Sequence, residues 1–209
     1  MTDVIAVFDV GKTNKKIMIF DGELSLLDRR YRHFESRVVD GVELEPIDEV
    51  AAWFLDTLGA LAEEYTITAV GITTHGASVV TLDASGTIAC PVVSYTHTPP
   101  DDLHDRFYDL VGTRDELQRR TATAELKPLI NPAKLLFFTQ EQWPERFARV
   151  ARIVFLPQYF GYLLTGRIAA DYTYVGCHTY LWDFEAWEWS SVAESLGLKS
   201  ALPPTPSRS

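Results

Sequence analysis

The chain has 209 residues, 46% of them hydrophobic, and a formal net charge of −10 at pH 7. That is enough apolar material for one large domain or two small ones. The acidic balance, with basic residues interspersed among acids, excludes a nucleic-acid surface, which needs clustered Lys and Arg.

In chain order, three strands come first, at 4–10, 15–20 and, more loosely, 24–34. Val4 to Phe8 is a continuous apolar run with β-branched and aromatic residues, and the second run, Lys15 to Phe20, is closed by the turn pair Asp21-Gly22. A helix is predicted over 47–65. Ala51, Phe54, Leu55, Leu58, Leu61, Ala62 and Tyr65 fall on one face, and Asp48 and Glu49 stand in the first turn, where the dipole favours them. Residues 68–74 read as a buried strand, and VVTLD-ASG-TIACPVVSY as a hairpin turning on Ala84, Ser85 and Gly86.

After Pro99-Pro100 helical patterns dominate as far as Leu164: Leu103 to Val111, Ala133 to Gln140 behind Asn131-Pro132, and Phe155 to Leu164, with Gly166 suited to the position after a helix. Residues 168–183 return to strand-like composition. The end of the chain, 200–209, has three prolines in its last seven residues and reads as a tail or linker. Strands, then helix, strand and further helices do not make the alternation of a doubly wound dinucleotide fold. They fit an α/β mixed sheet with flanking helices.

No apolar stretch approaches the roughly 20 residues of a membrane span, and no basic-then-apolar leader opens the chain. A cytoplasmic protein without a membrane partner is expected. Cys90 and Cys177 are far apart without a metal-type pair and read as reduced thiols in or near the core. His33, His75, His97, His104 and His178 show no i, i+4 pair, which argues against a His/Cys metal site.

Ala6 and, after a spacer of four residues, Gly11-Lys12-Thr13 satisfy a relaxed P-loop pattern. A P-loop needs a glycine-rich spacer that turns around a phosphate and a helix that starts at its lysine. Here the spacer is Val7-Phe8-Asp9-Val10 and a second apolar run follows, so the reading is strand, tight turn, strand. The turn can still be directed at a phosphate. Asp9 stands at a strand end, Gly11 allows close approach to an anion, and Lys12, Thr13 and Asn14 are donors. An ordinary hairpin turn with a solvated Asp9 reads equally well from these residues alone.

Three blocks in order resemble the FGGY family of carbohydrate kinases, in the actin, Hsp70 and hexokinase superfamily. FDVGKTNKK resembles the family's first phosphate motif, and VGITTHGASVVTLDASGTIACPVVSYTHT is similar to its sugar-binding block. IVFLPQYFGYLLTGRIAADYTYVGCHTYLWDFEAWEWS resembles its L-T-G block with a following acidic residue. The resemblance implies an α/β, ribonuclease-H-like (actin-like ATPase) domain with a mixed five-stranded sheet, flanking helices and an inserted helical and hairpin segment. It implies ATP and magnesium as cofactors and a ketose or polyol as substrate. Asp9 would hold magnesium, with Gly11, Lys12, Thr13 and Asn14 at the phosphates. Thr74, His75, Gly76 and Tyr95 would contact the sugar, and Asp171 would be the general base. Read without the resemblance, Asp171 is a turn residue and His75 a structural group at a strand end. His97 and Pro99 stand where the family commonly has Asp and Arg, so the identity of the sugar stays open.

Family members are about twice this length, with a second domain of similar fold for the nucleotide. The chain is therefore expected to correspond to the N-terminal sugar-binding domain over 1–199, with that domain's C-terminal end left open, and to bind sugar weakly with little or no kinase activity alone. A homodimer is compatible with the sequence. Two other classes fit: a non-catalytic sugar-binding or regulatory module derived from such a kinase, and a nucleotide-dependent interaction domain of the actin or Hsp70 type.

Overall fold

A computed structural model describes residues 2–205. The chain divides into two compact units, one made of residues up to 38 together with 45–75, the other of 39–44 and the residues from 76 on.

The first three strands are β1 (Asp3–Val10), β2 (Asn14–Phe20) and β3 (Leu26–His33). Two short strands, β4 (Arg37–Val39) and β5 (Val42–Leu44), form a ribbon, followed by α1 (Ile47–Glu64) and β6 (Thr66–Thr74). The first unit is built on the four-stranded sheet β3-β2-β1-β6, so four of the five strands expected for such a sheet are present among the described residues. It is mixed: β1 and β2, and β2 and β3, pair antiparallel, whereas β1 and β6 pair parallel. Period-two alternation puts Val4, Ala6, Phe8 and Val10 of β1 and Lys15, Ile17 and Ile19 of β2 on the buried face. Helix α1 buries Ile47, Val50, Ala51, Phe54 and Leu61, and Phe54 stacks on Phe8 at 4.3 Å between ring centroids.

Two expectations need correction here. Leu55 and Ala62 are exposed, because the contacting stripe of α1 runs through Ile47, Val50 and Phe54 and leaves them at its margin. Strand β6 is half-exposed rather than buried, because its place at the sheet edge gives it β1 as sole strand neighbour among the described residues.

The second unit contains β7 (Val79–Leu82), α2 (Leu103–Val111), α3 (Arg114–Thr121), α4 (Pro132–Gln142), α5 (Pro144–Phe147), β8 (Arg152–Phe155), α6 (Leu156–Thr165), α7 (Tyr172–His178), β9 (Trp182–Asp183), β10 (Glu188–Trp189) and α8 (Ser191–Ser195). Its core includes Phe107, Leu136, Phe155, Tyr180, Trp182 and Val192. The hairpin expected after β7 turns where predicted, with Asp83 N–H donating to Thr87 O at 2.9 Å and Ala89 N–H to Thr81 O at 2.8 Å, but its return arm is short, pairing only around Leu82 and Ile88. The true partner of β7 is β8, antiparallel, a strand that hides in the apolar run leading into α6. Helix α6 ends at Gly166 in the left-handed region, φ 68°, as its sequence indicates.

Residues 168–183 are not mainly strand. Their centre is α7, since Asp171 caps a helix there and local hydrogen bonding outweighs the β-rich composition. The segment from 200 is packed as far as Pro203: Leu202 is buried, Ile153 N–H donates to Ala201 O at 2.8 Å, and Trp189 Nε1 donates to Pro203 O at 3.1 Å. The rest of the expected tail, 206–209, lies outside the described residues. Cys90 is buried as expected, but Cys177 is exposed on α7. Among the described residues no helix is long and apolar enough to cross a membrane.

Candidate functional site

The Gly-Lys-Thr segment is a hairpin turn between β1 and β2, with no helix start. Gly11 N–H donates to Asn14 O at 3.0 Å, and a Cβ added at Gly11 would lie 3.0 Å from that same oxygen, so a side chain here forces the turn to shift. Thr13 O accepts from Phe34 N–H at 2.8 Å. Asn14 Oδ1 accepts from Tyr31 Oη at 2.7 Å and lies 3.1 Å from His33 Nδ1, which fixes its side chain against β3.

Beneath the turn is a charge cluster of which the sequence reading picked out only Lys12. Lys15 is 2% exposed, and its Nζ donates to Gly11 O at 2.9 Å and Lys12 O at 2.7 Å. Burial lowers the Lys15 pKa, while Glu45 opposes that shift and Lys12 reinforces it. Lys12 pairs with Glu45, whose side chain is 3% exposed. Lys12 is therefore neither a solvated turn tip nor a free cation. The signal for Lys15 was its phase: it alternates with Ile17 and Ile19 on the buried face. Glu45, 33 positions from Lys12, had no local signal.

Asp9 lies on the other face, its side chain 34% exposed and 3.4 Å from Lys16 Nζ, its cross-strand neighbour. A lone accessible carboxylate suits magnesium, which keeps several waters and takes its other ligands from substrate phosphates. Among the described residues no group of three or more His, Cys, Asp or Glu could form an all-protein metal cage.

Parallel pairing of β1 with β6 places Asp9 beside Thr73 and Val10 beside Thr74, and His75 N–H donates to Val10 O at 2.9 Å. The Gly-Lys-Thr turn and the Thr74-His75 pair thus leave adjacent strands at the same carboxyl edge of the sheet. In open α/β sheets that edge is where ligands bind. Thr74 Oγ1 donates to His75 O at 2.8 Å, so its hydroxyl proton is already used.

In the second unit, Ala77 adopts φ 70°, a left-handed conformation rarely held by a side-chain-bearing residue without a functional or packing constraint. Helix α7 sits against this segment. Tyr174 Oη donates a long hydrogen bond, 3.4 Å, to Ser78 O, and the His178 ring occupies the space where a Cβ on Gly76 would stand.

Asp171 starts that helix. Its Oδ1 accepts from Thr173 N–H at 2.9 Å, Tyr174 N–H at 3.2 Å and the Thr173 hydroxyl. The hydrogen bond from the Thr173 side chain is the main cause holding the Asp171 carboxyl below its usual range, with the two backbone N–H groups adding to it against partial burial. Tyr95 is half-buried against the hydrophobic core, and its carbonyl accepts from Leu129 N–H at 3.2 Å. His97 contacts Phe138 at 5.1 Å between ring centroids and has its pKa lowered by burial, against the opposing effect of Glu43. Of the expected residues, Asp9, Gly11 to Asn14, Thr74 and His75 belong to the first unit and Gly76, Tyr95 and Asp171 to the second.

Comparison with known proteins follows the same lines. Residues 4–207 match the N-terminal domain of the FGGY family of carbohydrate kinases. A rhamnulokinase of Yersinia pestis (strain Pestoides F) is 26% identical over 193 residues, covering 90% of this chain and 39% of that protein. A rhamnulokinase of Enterobacter sp. (strain 638) is 30% identical over 160 residues, 73% of this chain and 32% of that protein. Among solved structures, a carbohydrate kinase from Novosphingobium aromaticivorans superposes with a TM-score of 0.86 at 27% identity, over 97% of this chain and 42% of that one. The chain thus spans about two fifths of the length of the curated relatives it matches.

Proposed function

The chain belongs to the FGGY family of carbohydrate kinases, and from that premise we propose that it is the sugar-binding part of an ATP-dependent kinase acting on a hydroxyl of a ketose, with L-rhamnulose the first to test. The supporting observation is the shared strand edge: the Asp9 hairpin and Thr74-His75 end neighbouring parallel strands. A phosphoryl donor at the turn and a polyhydroxyl acceptor at His75 would meet there. The match to two rhamnulokinases supports the choice of sugar.

Phosphoryl transfer passes through a loose transition state, so the protein contributes mainly position and charge. Gly11 lets the backbone approach a phosphate closely, and Thr13 and Asn14 border it. Asp9 would hold magnesium, which when bound neutralises phosphate charge. Lys12 and Lys15 act from beneath: paired with Glu45 and with the turn's own carbonyls, they fix the turn's shape. His75 brings the hydrogen-bonding nitrogens of its ring to the sugar. Nucleotide contacts beyond the turn belong, in this reading, to the part of a full-length relative that the chain does not span.

Asp171 has two readings. A general base must take a proton as the new bond forms, and its efficiency falls as its pKa drops below the working pH. The capping bonds depress that pKa, which favours Asp171 as a positioning residue that holds α7 against Gly76 to Ser78. Asp171→Ser keeps a capping oxygen and removes the carboxylate. In a full-length kinase carrying this segment, a positioning role predicts near-unchanged kcat, and a base role predicts a loss of about 100-fold or more.

The proposal as a whole is tested by calorimetric titration of the chain with L-rhamnulose, xylulose, ribulose and glycerol, with and without MgATP. Saturable ketose binding that Asp9→Asn leaves intact and His75→Ala abolishes is expected. Binding of MgATP with no response to any ketose or polyol would favour an interaction domain and end the sugar-kinase reading.

A further inference from the structure

We propose that His178 is a sugar-contacting side chain of the second unit, making a hydrogen bond to a substrate hydroxyl beside Gly76. This rests on the sugar-binding reading above and extends it to a residue that no sequence motif singled out.

The first ground is steric. A Cβ on Gly76 would lie 2.6 Å from His178 Cε1 and 2.8 Å from Nε2. The imidazole thus lies directly over the backbone of Gly76, and a side chain at that position would displace the ring.

The second ground is unused hydrogen-bonding capacity. His178 is half-buried, and among the described residues its ring nitrogens make no hydrogen bond to protein, whereas its carbonyl accepts from Asn131 Nδ2 at 2.9 Å. The ring therefore keeps a donor and an acceptor available to a ligand.

The third ground is placement. The helix carrying His178 is fixed at its start by the Asp171 cap and tied at Tyr174 to Ser78 O. Asn131 is itself fully buried, with its Oδ1 accepting from Leu126 N–H at 3.0 Å. The imidazole is thus carried on anchored backbone, as a binding group should be. Left-handed Ala77 places a strained residue one position from the contact.

The chemistry narrows the ligand class. Burial alone lowers the His178 pKa, and no charged neighbour acts on it. At neutral pH the ring offers one donor and one acceptor and no charge. That matches a hydroxyl, which both donates and accepts, better than a phosphate or a carboxylate.

The test is side-chain 1H–15N spectroscopy of the chain titrated with L-rhamnulose, xylulose and glycerol, with binding constants measured in parallel for His178→Ala and His178→Gln. Expected results are a saturable shift of the His178 ring signals by the sugar that binds, a dissociation constant raised about tenfold in His178→Ala, and partial recovery in His178→Gln, which keeps a donor and an acceptor. Unmoved ring signals, or unchanged affinity in His178→Ala, in a chain that binds sugar would overturn the assignment and leave the sugar-binding reading standing. If the wild-type chain binds no ketose or polyol, both fall together. Should His178→Ala fail to fold, the wild-type ring signals and His178→Gln decide.

Discussion

Asp171 shows how one side chain supports different roles at different levels of description. As a residue after L-T-G it resembles a catalytic carboxylate; as an atom it is a helix cap with three donors on one oxygen. Removing the cap by Asp171→Ala is expected to cost about 1 kcal/mol of stability, measured as a lower urea midpoint. Asp171→Ser should recover most of it, because Ser caps nearly as well. Equal losses in the two variants would mean that the carboxylate charge, and not the capping geometry, is what the fold uses. Seven-residue α7 gains little from propensity alone, so the cap and the contacts of Val175 and Gly176 must hold it.

The unit of interest among the elements is the β1-β2 hairpin with the start of α1. Lys15 crosses beneath its turn to two carbonyls, while Glu45 pairs with Lys12 beside it. Removing one partner of a largely buried ion pair leaves the other uncompensated, and with Lys12 partly exposed Glu45→Gln is expected to lose about 2 kcal/mol. In the double variant Lys12→Met/Glu45→Gln the lysine's penalty disappears, and the combined loss should fall short of the sum of the single losses by at least about 0.5 kcal/mol. Strict additivity in chemical denaturation would show that the two residues act independently. At the same scale, β7 pairs with β8 across seventy or more positions, whereas the local hairpin after β7 pairs only around Leu82 and Ile88.

For the molecule as a whole, acid sensitivity follows from three histidines. Burial is the leading cause that lowers the pKa of His97, His104 and His178 below the ordinary value of 6.5. With a depressed pKa in the folded chain, the unfolded chain binds more protons once the pH falls through 6.5, so stability must fall with it. The slope is at most about 1.4 kcal/mol per pH unit for each histidine. Asp83, Asp171 and Asp183 have lowered values and do not contribute until the ordinary carboxylate range is reached. Urea midpoints measured from about pH 7.5 down to pH 5 should therefore decline, and less steeply in His104→Gln; a constant midpoint over that range would contradict the burial of the imidazoles.

The sequence by itself determined the local features that depend on short-range periodicity and turn chemistry. The first two strands, the hairpin turn in place of a P-loop, α1, α2, α4 and the Gly166 end of α6 all follow from neighbouring residues. The order of the family blocks was legible too, and with it the fold class. Tertiary structure decided what depends on distant partners: that β6 is an edge, that β8 exists and pairs with β7, that Glu45 returns beneath the turn, and that the His178 ring fills the space at Gly76. It also decided against strand for 172–178, because the Asp171 cap and packing against the core outweigh a preference for β structure that was itself mostly a matter of context. Burial and pairing are properties of residues brought together from far apart in the chain, and periodicity in one segment carries no information about which other segment will cover it.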